Sequence, residues 1–425
     1  MVRVGLILGP GSCRIGGGGA APNPNFISTW DTTKAGSASD TIVLPMTAGV
    51  ATVDWGDGTV DTSNTHTYAV GGIKTISISG TIEGFRFNSS GDRLKIIDVS
   101  NWGSFNLTTD SVFWGCENLD FSATDAPTVT TTSFLRMFRN TFSLTNADIN
   151  NWDITGVNNM NECFWSSDIS CDLDTWDMSL VTNLTRCFFQ CPRFNGDITT
   201  WDVSSVTTLY LTFANAPLFN QPIGGWKTTS LLSLQQTFEN ATSFNQSLNS
   251  WDTSNVTVMV RTFNSATSFN GDISSWDTSS VINMSNILSA TPFNQDITGW
   301  NVSNVQIMTA AFQQMPNFNQ DISGWNVSSV TSMLQMFSSS PSFDQDLSSW
   351  DINQVSNFTR FMQAPTQLST ANYDALLIGW DAQGAMSFSG TADFGNSTYT
   401  IGGAAEAART SLISKWGGII DGGGV

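Results

Sequence analysis

Histidine and basic residues are scarce in this 425-residue sequence, which has one histidine, His66, and only 16 lysines and arginines. A lone histidine, which falls in a β-rich motif, excludes Ser-His-Asp and Cys-His catalytic arrangements and metal sites built from several histidines. No glycine-rich phosphate-binding motif follows a strand pattern, so we expect no cofactor. Aspartate and glutamate total 35, the net charge is −19, and no basic patch is evident. Such a chain repels phosphate backbones, and we expect no nucleic-acid partner.

Long apolar runs are also missing. No stretch reaches the roughly 18 apolar residues of a membrane span, so we predict no membrane insertion. The first apolar run ends at Gly9 and Pro10 and is too short for an ordinary signal peptide. We therefore expect either export by another route or assembly into a virion, and we favour the virion.

Cysteine spacing gives no zinc motif, because no Cys-x-x-Cys occurs among the six cysteines. Six are too few for a disulfide framework in a chain of this length. Cys163 and Cys187 occupy one position of adjacent repeats and are able to pair in an oxidising compartment, although we favour buried free thiols. The cysteines are Cys13, Cys116, Cys163, Cys171, Cys187 and Cys191.

What the sequence does have is an internal repeat of 24 or 25 residues. Ten tryptophans mark it, and Ala126 holds the tryptophan position of one further repeat. The period predicts a solenoid, in which stacking buries the apolar residues that one repeat cannot bury alone. We interpret the tryptophan column as a structural ladder. Its members are Trp102, Trp152, Trp176, Trp201, Trp226, Trp251, Trp276, Trp300, Trp325 and Trp350.

Three further apolar columns keep this register. Eight residues after the tryptophan stands Phe134, Met160, Leu184, Leu209, Leu234, Met259, Met284, Met308, Met333 or Phe358. Twelve after it stands Trp114, Phe138, Phe164, Phe188, Phe213, Phe238, Phe263, Leu288, Phe312, Phe337 or Met362. Seven before it stands Phe194, Phe219, Phe244, Phe269, Phe293, Phe318 or Phe343.

Local patterns predict the secondary structure of each coil. Residues 273–276 alternate apolar and polar side chains, which indicates a short strand. Residues 281–288 space their apolar side chains at i, i+3 and i+7, which indicates about two turns of helix. We therefore expect a parallel sheet along one wall and short helices on the other.

The repeats at residues 269–277 and 318–327, F-N-G-D-I-S-S-W-D and F-N-Q-D-I-S-G-W-N-V, resemble those of BspA-like leucine-rich-repeat surface proteins. The resemblance covers about residues 88–365 and implies a leucine-rich-repeat-like solenoid of about 11 coils of 24–26 residues. It further implies a non-enzymatic surface protein used for attachment or recognition, found on bacteria, in some protists and among phage structural proteins. It does not fix the ligand.

Residues 26–87 form a different segment. Asp54-Trp55-Gly56-Asp57-Gly58-Thr59 and the downstream His66-Thr67-Tyr68 resemble a PKD-type module, which implies a small all-β sandwich that serves as a spacer or in adhesion. Gly56 and Gly58 suit the positive φ of a tight hairpin, and Trp55 is expected in the core. For Asp54 and Asp57 we favour turn-capping hydrogen bonds over a Ca²⁺ site.

Two end segments complete the predicted organisation. Residues 1–25 are a Gly/Pro-rich arm, interpreted as a tail or as an anchoring peptide that docks on a larger particle. Residues 366–425 form a C-terminal cap that covers the last apolar coil, with a helix predicted at residues 404–416. This segment also resembles the tails of BspA-like proteins.

Polar columns accompany the tryptophans. Aspartates lie four residues before the tryptophan and directly after it, and we interpret them as turn caps, ladder members or weak cation sites. A catalytic carboxylate pair is a single local feature, so we predict no catalytic and no metal site. The asparagines Asn195, Asn220, Asn245, Asn270, Asn294 and Asn319 are interpreted as an internal amide ladder. For the tryptophans we prefer burial to an exposed glycan-binding strip.

These features predict a non-enzymatic solenoid displayed extracellularly or on a virion surface, and we favour a phage tail fibre or other host-recognition appendage. The alternatives are a bacterial cell-surface adhesin and an architectural fibre or decoration subunit without a receptor. The expected partners are a host surface glycan or protein receptor, or a larger particle bound through the N-terminal arm. Assembly into a homo-oligomer is left open.

Overall fold

A computed structural model describes residues 23–145, 147–384 and 387–425 of the protein. The chain divides into an N-terminal unit, Met1–Val203, and a C-terminal unit, Ser204–Val425. Most of the predicted arm lies outside the described residues, as does Cys13.

The N-terminal unit begins with a six-stranded sheet in the order β4-β3-β6-β1-β7-β9. Strand β1 pairs antiparallel with β6 and β7, β7 pairs parallel with β9, and β2–β5 and β8–β10 form separate two-stranded sheets. The strands are β1 (Phe26–Asp31), β2 (Thr41–Val43), β3 (Thr52–Asp54), β4 (Val60–Asp61), β5 (Thr65–Thr67), β6 (Ile73–Ser79), β7 (Ile96–Asn101), β8 (Asn106–Leu107), β9 (Asp120–Phe121) and β10 (Thr128–Val129).

Strand β1 occupies a central position in this sheet and alternates as a half-buried strand does. Phe26, Ser28 and Trp30 are fully buried, and the Trp30 indole N–H donates to Ser28 Oγ at 2.8 Å. Because β1 also pairs with β7, the predicted boundary at residue 87 falls within one continuous sheet. The β-rich segment thus shares its sheet with the start of the repeats.

A buried lysine strengthens this junction. Lys95 is fully buried, and its ammonium donates to the carbonyls of Ala38 at 2.8 Å and Thr41 at 2.7 Å and to Ser37 Oγ at 2.9 Å. The Asp92 carboxylate accepts from the same loop, from Ser37 N at 2.6 Å and Val43 N at 2.7 Å. Since buried charges are stable only with such hydrogen bonds, the two residues fix the β1–β2 loop against the chain ahead of β7.

In both units, successive repeats are joined by backbone hydrogen bonds through the segment that we predicted to be helical. The N–H groups of Met259, Arg261 and Phe263 donate to carbonyls of the next repeat at 3.1, 2.8 and 2.9 Å. Parallel bridges pair Val258 with Asn283 in the same row. The helix prediction is therefore wrong here, because these N–H groups bond between coils and not along a helix. Within the described part of residues 88–365, the one assigned helix is the 3₁₀ turn Ile223–Gly225.

The predicted strand is a tight turn instead. Trp276 N donates to the Ile273 carbonyl at 3.2 Å, and similar i→i+3 backbone bonds join Asn264 N to the Arg261 carbonyl and Ala266 N to the Phe263 carbonyl. A tight turn reverses the chain within four residues. Consecutive turns therefore point side chains inward every three to four residues, which is also the spacing of one face of a helix. This equivalence explains why the sequence pattern suggested a helix.

Two columns of non-glycine residues in the repeats have positive φ. In one coil they are Arg261 (φ 55°) and Ser265 (φ 59°), each two residues after an inward apolar side chain. Turns of this kind need a positive φ at the third residue, which ordinary L-residues adopt at a cost. Each repeat therefore bears backbone strain that is offset by its bonds to the next coil, such as that from Ser265 N to the Ser289 carbonyl at 2.8 Å.

The C-terminal unit ends in α1 (Thr370–Asp381), β11 (Gly390–Asp393), β12 (Thr398–Tyr399), α2 (Ala404–Trp416), β13 (Gly417–Ile420) and β14 (Gly423–Gly424). The helix predicted at residues 404–416 is confirmed as α2. Trp380 of α1 and Trp416 of α2 pack on Phe358, with ring centroids 5.3 and 6.0 Å away, and so cover the last coil. β11 pairs parallel with β13, and β12 with β14.

The strained columns lead to a stability prediction. Ala290 is half-buried with φ 58°, so Ala290→Gly should raise the free energy of unfolding by about 0.5–1 kcal/mol, because glycine adopts this conformation freely. The matched control is Ala407→Gly at an exposed position of α2, which should lower it by about 1 kcal/mol. Urea unfolding measures both changes, and a destabilised Ala290→Gly protein would contradict the assigned strain.

Candidate binding surface

The structure places all ten column tryptophans in the interior, with 0–5% of each side chain exposed. The indole N–H donates to a backbone carbonyl three residues before the tryptophan of the preceding coil. Trp276 thus donates to the Leu248 carbonyl at 2.9 Å, and Trp350 to the Ile322 carbonyl at 3.1 Å. Trp380 of α1 makes the same bond to Leu347 at 2.9 Å, which the sequence period did not reveal. Buried indoles offer no stacking strip for sugars.

Trp152 departs from this pattern. Its indole nitrogen is buried and has no hydrogen-bond partner among the described residues. Ala126 holds the tryptophan position in the preceding repeat, and the Trp152 ring packs edge-on against Trp102 with centroids 5.2 Å apart. The missing indole thus lets two tryptophans meet directly.

Phenylalanine rings fill the space beside the indoles as stacked pairs. Phe238 and Phe244 lie parallel with centroids 4.1 Å apart, and Phe238 also stacks on Phe263 at 5.4 Å. In the first repeat we predicted Trp114 for this column, which is wrong. Phe113 is the fully buried residue and stacks on Phe138 at 5.9 Å, whereas Trp114 is half-exposed.

The aspartate columns cap turns. Asp321 accepts from Ser323 N at 3.0 Å and Asp277 from Ser279 N at 2.9 Å, and hydrogen bonds from these serines lower the pKa of both carboxyls. Within the aspartate columns, an N–H two residues ahead donates to the carboxylates of Asp148, Asp153, Asp177, Asp197, Asp252, Asp272, Asp277, Asp296, Asp321, Asp346 and Asp351.

The asparagine column is a ladder, but calling it internal is wrong. The Asn245 side-chain oxygen accepts from Asn270 N at 2.7 Å, and Asn270 accepts in turn from Asn294 N at 2.9 Å. Five of the six asparagines are exposed. The amide oxygens accept hydrogen bonds from turn N–H groups on the solvent side. In the tight turn these N–H groups have no backbone carbonyl as partner.

The five described cysteines are buried, and Cys116, Cys163, Cys187 and Cys191 are free thiols. Burial raises the pKa of the Cys163 and Cys187 thiols, which keeps them protonated. Cys191 Sγ donates to the Phe164 carbonyl at 2.8 Å. Within the described ranges, no group of three or more His, Cys, Asp and Glu could hold a metal ion, and no helix is long and apolar enough to cross a membrane.

The sole histidine, His66 of β5, contacts the β3–β4 turn. Asp57 accepts from Thr59 N at 3.0 Å and lies 2.8 Å from His66 Nε2, while the His66 ring stacks on the fully buried Trp55 at 5.0 Å. The hydrogen bond with His66 lowers the pKa of Asp57 to about 2. Asp54 accepts from Gly56 N at 2.9 Å, so both aspartates make the expected turn-capping bonds.

A cluster that we did not predict lies on the surface of the N-terminal unit. The Arg139 guanidinium carbon is 3.6 Å from the Trp165 ring centroid and 5.3 Å from that of Trp114, and Arg136 is 4.9 Å from Trp114. Both indoles are half-exposed. The arginine–tryptophan cluster consists of Trp114, Arg136, Arg139, Glu162, Trp165 and Arg186.

One carboxylate serves all three arginines of the cluster. Glu162, 6% exposed, accepts from Arg136 Nε at 2.7 Å and Arg139 Nη1 at 2.5 Å, and Arg186 Nη1 lies 3.7 Å away. Burial, with repulsion from Arg136 and Arg186, holds the pKa of Arg139 below its usual value, although Glu162 opposes this. The cluster carries an excess of positive charge, so our statement that the chain has no basic patch is wrong at this place.

A signal for this cluster is present in the repeat columns. The residue after the column phenylalanine is Arg139, Trp165 and Phe189 in three successive repeats. In the later repeats it is Ala214, Glu239, Asn264, Ser289, Gln313, Ser338 or Gln363. Attention to surface columns, and not only to the apolar ones, would have found it.

Comparison with known families gives a match to the repeats. The family described as "Mycoplasma protein of unknown function, DUF285" matches four overlapping segments, 85–169, 166–276, 226–316 and 257–380. Together they cover more than half of the chain and are consistent with BspA-like repeat proteins. No curated protein and no solved structure matches the chain. The PKD-like resemblance has no such support.

The tryptophan ladder can be tested within one unit. Trp176 donates to the Ile149 carbonyl at 2.9 Å, whereas Trp152 has no acceptor. Trp176→Phe should therefore lower the free energy of unfolding by about 1–2 kcal/mol more than Trp152→Phe, which removes a donor that is already unsatisfied. Urea unfolding of the two variants measures the difference, and equal losses would show that the indole bond contributes nothing.

The Asp57–His66 pair predicts a pH dependence. A depressed carboxyl pKa stabilises the fold above the unfolded-state value near about 3.9, and that contribution is lost as pH falls through about 2. Asp57→Asn should thus lower the thermal midpoint relative to wild type above pH 4, and this difference should shrink as the pH falls towards 2. Asp296→Asn, at a turn without a histidine, serves as control and should show a smaller pH-dependent shift. An Asp57→Asn shift that does not change with pH would contradict the assigned pair.

Proposed function

The chain belongs to the family described as Mycoplasma proteins of unknown function, DUF285. We propose that it is a non-enzymatic recognition protein displayed on a surface. Our first candidate is a virion appendage that contacts a host, located outside the cell. In this proposal the repeats are a stacked solenoid scaffold, and residues 26–87 act as a PKD-like spacer.

The arginine–tryptophan cluster carries this proposal. The repeated tryptophans, phenylalanines, aspartates and asparagines are engaged in packing, caps or ladders between coils. The cluster departs from those columns and places half-exposed indoles beside cations on an otherwise acidic chain. Exposed aromatic and arginine side chains are enriched where proteins bind partners.

A bacterial cell-surface adhesin is the second candidate. The family takes its description from Mycoplasma, a cellular organism, which favours display on a cell over display on a virus particle. Both candidates require that the repeats be accessible from outside. They differ in which particle carries the chain.

Antibodies against residues 204–425 would test both candidates by immunogold labelling of the source cells and of particles released from them. Labelling of released particles supports the appendage, and labelling of intact, unpermeabilised cells supports the adhesin. Labelling only after permeabilisation, with none on particles, overturns surface display. A cytoplasmic marker protein controls for leakage.

Light scattering on the purified chain, with and without residues 1–25, separates an anchored fibre from a single-chain binder. A trimer that dissociates without the arm supports a fibre subunit. A monomer in both forms supports an adhesin or a decoration subunit.

A further inference from the structure

We propose that the arginine–tryptophan cluster binds the carboxylate of an acidic sugar. The proposal deepens the surface-recognition function and rests on it for its biological setting. It concerns one local site in the N-terminal unit, and the binding itself is measurable on the isolated chain.

The Arg136 and Arg139 guanidinium groups have hydrogen-bonding capacity beyond their shared carboxylate, Glu162. Arg136 donates to Glu162 through Nε, and Arg139 donates to it through Nη1. Each guanidinium carries five N–H donors. Arg139 Nε is buried and has no partner among the described residues. Guanidinium N–H groups that one carboxylate leaves unpaired can donate to the oxygens of a second carboxylate. The planar guanidinium also matches a carboxylate in geometry.

The indoles hold these cations in place. Arg139 lies 3.6 Å from the Trp165 ring, and the Trp165 indole N–H donates to the Gln190 side chain at 3.0 Å, which fixes the ring. Stacking on aromatic faces reduces the entropy that an arginine loses on binding. The exposed parts of Trp114 and Trp165 add apolar surface beside the cations, as the C–H face of a sugar ring requires.

Long-range charge favours a small ligand with one carboxylate. The whole chain carries −19, and repulsion grows with the total charge of a partner, which disfavours nucleic acid, an acidic protein or a second copy. The cluster acts only within a Debye length of about 8 Å at physiological salt. A saccharide with a single carboxylate gains the local attraction and meets little of the repulsion.

The test is calorimetric titration of the full-length chain with sialyllactose, galacturonate and neutral lactose. Binding of either acidic probe, weakened by added salt and missing for lactose, is the expected result, and the two probes distinguish a nonulosonic from a uronic acid. Arg139→Gln and Arg136→Gln should each weaken binding at least about tenfold, because each removes charge-assisted hydrogen bonds. Glu162→Gln should strengthen it, since the internal competitor loses its charge.

Arg261→Gln is the matched control. Arg261 occupies the same turn position as Arg136 and has Glu239 at 3.7 Å, but it lies in the C-terminal unit, and the next-column residues beside it are Glu239 and Asn264 instead of indoles. Its loss should leave affinity unchanged, and thermal melts confirm that each variant is folded.

Several results would overturn the sugar-acid assignment. These are a lack of binding to both acidic probes, equal binding of lactose, and an equal loss in Arg261→Gln. Self-association that Arg139→Gln abolishes would overturn it in favour of a second chain as the partner. None of these results affects the immunogold outcome, so failure of the ligand assignment and failure of surface display remain distinguishable.

Discussion

A single backbone carbonyl both closes a tight turn and joins that turn to the tryptophan of the next coil. The Ile322 carbonyl accepts Trp325 N at 3.1 Å, which closes a tight turn, and it also accepts the Trp350 indole N–H at 3.1 Å. A carbonyl has two lone pairs, and both are used. The same oxygen atom thereby fixes the tight turn and the stacking of the next coil. A change in the length of a repeat would move the indole N–H away from this oxygen. This double use explains why the tryptophan spacing varies by only one residue.

Recognition is consequently confined to positions that the stacking does not use. The inward columns are buried, and the aspartates and asparagines satisfy turn N–H groups. The remaining freedom lies in side chains such as Arg136, Glu162 and Arg186, which occupy one column at positive φ. Substitution there alters the surface without disturbing the core, and the C-terminal unit shows this with Gln236, Arg261 and other residues at equivalent places.

The sequence predicted what depends on the period and missed what depends on local geometry. The tryptophan period followed from the spacing of the residues. Burial of the column was predicted because a stripe of exposed indoles would promote aggregation. Helix and strand were misassigned because consecutive tight turns space apolar residues as a helix does. The cluster was missed because Arg139 and Trp165 are 26 residues apart and meet only through stacking. Phe113 was missed because the first repeat shifts by one residue.

Backbone strain and surface variability are connected. A residue at positive φ costs about 1–2 kcal/mol relative to the ordinary helical region, and glycine would avoid that cost. Glycine has no side chain, however, and a column of glycines would leave this surface without charged or polar groups that could bind a partner. Arg136 and Glu162 therefore retain side chains at strained positions, where the bonds of their backbone N–H groups to the Asn161 and Thr185 carbonyls of the next coil offset the strain. The same turn that joins the coils thus presents the side chains that distinguish one repeat from another.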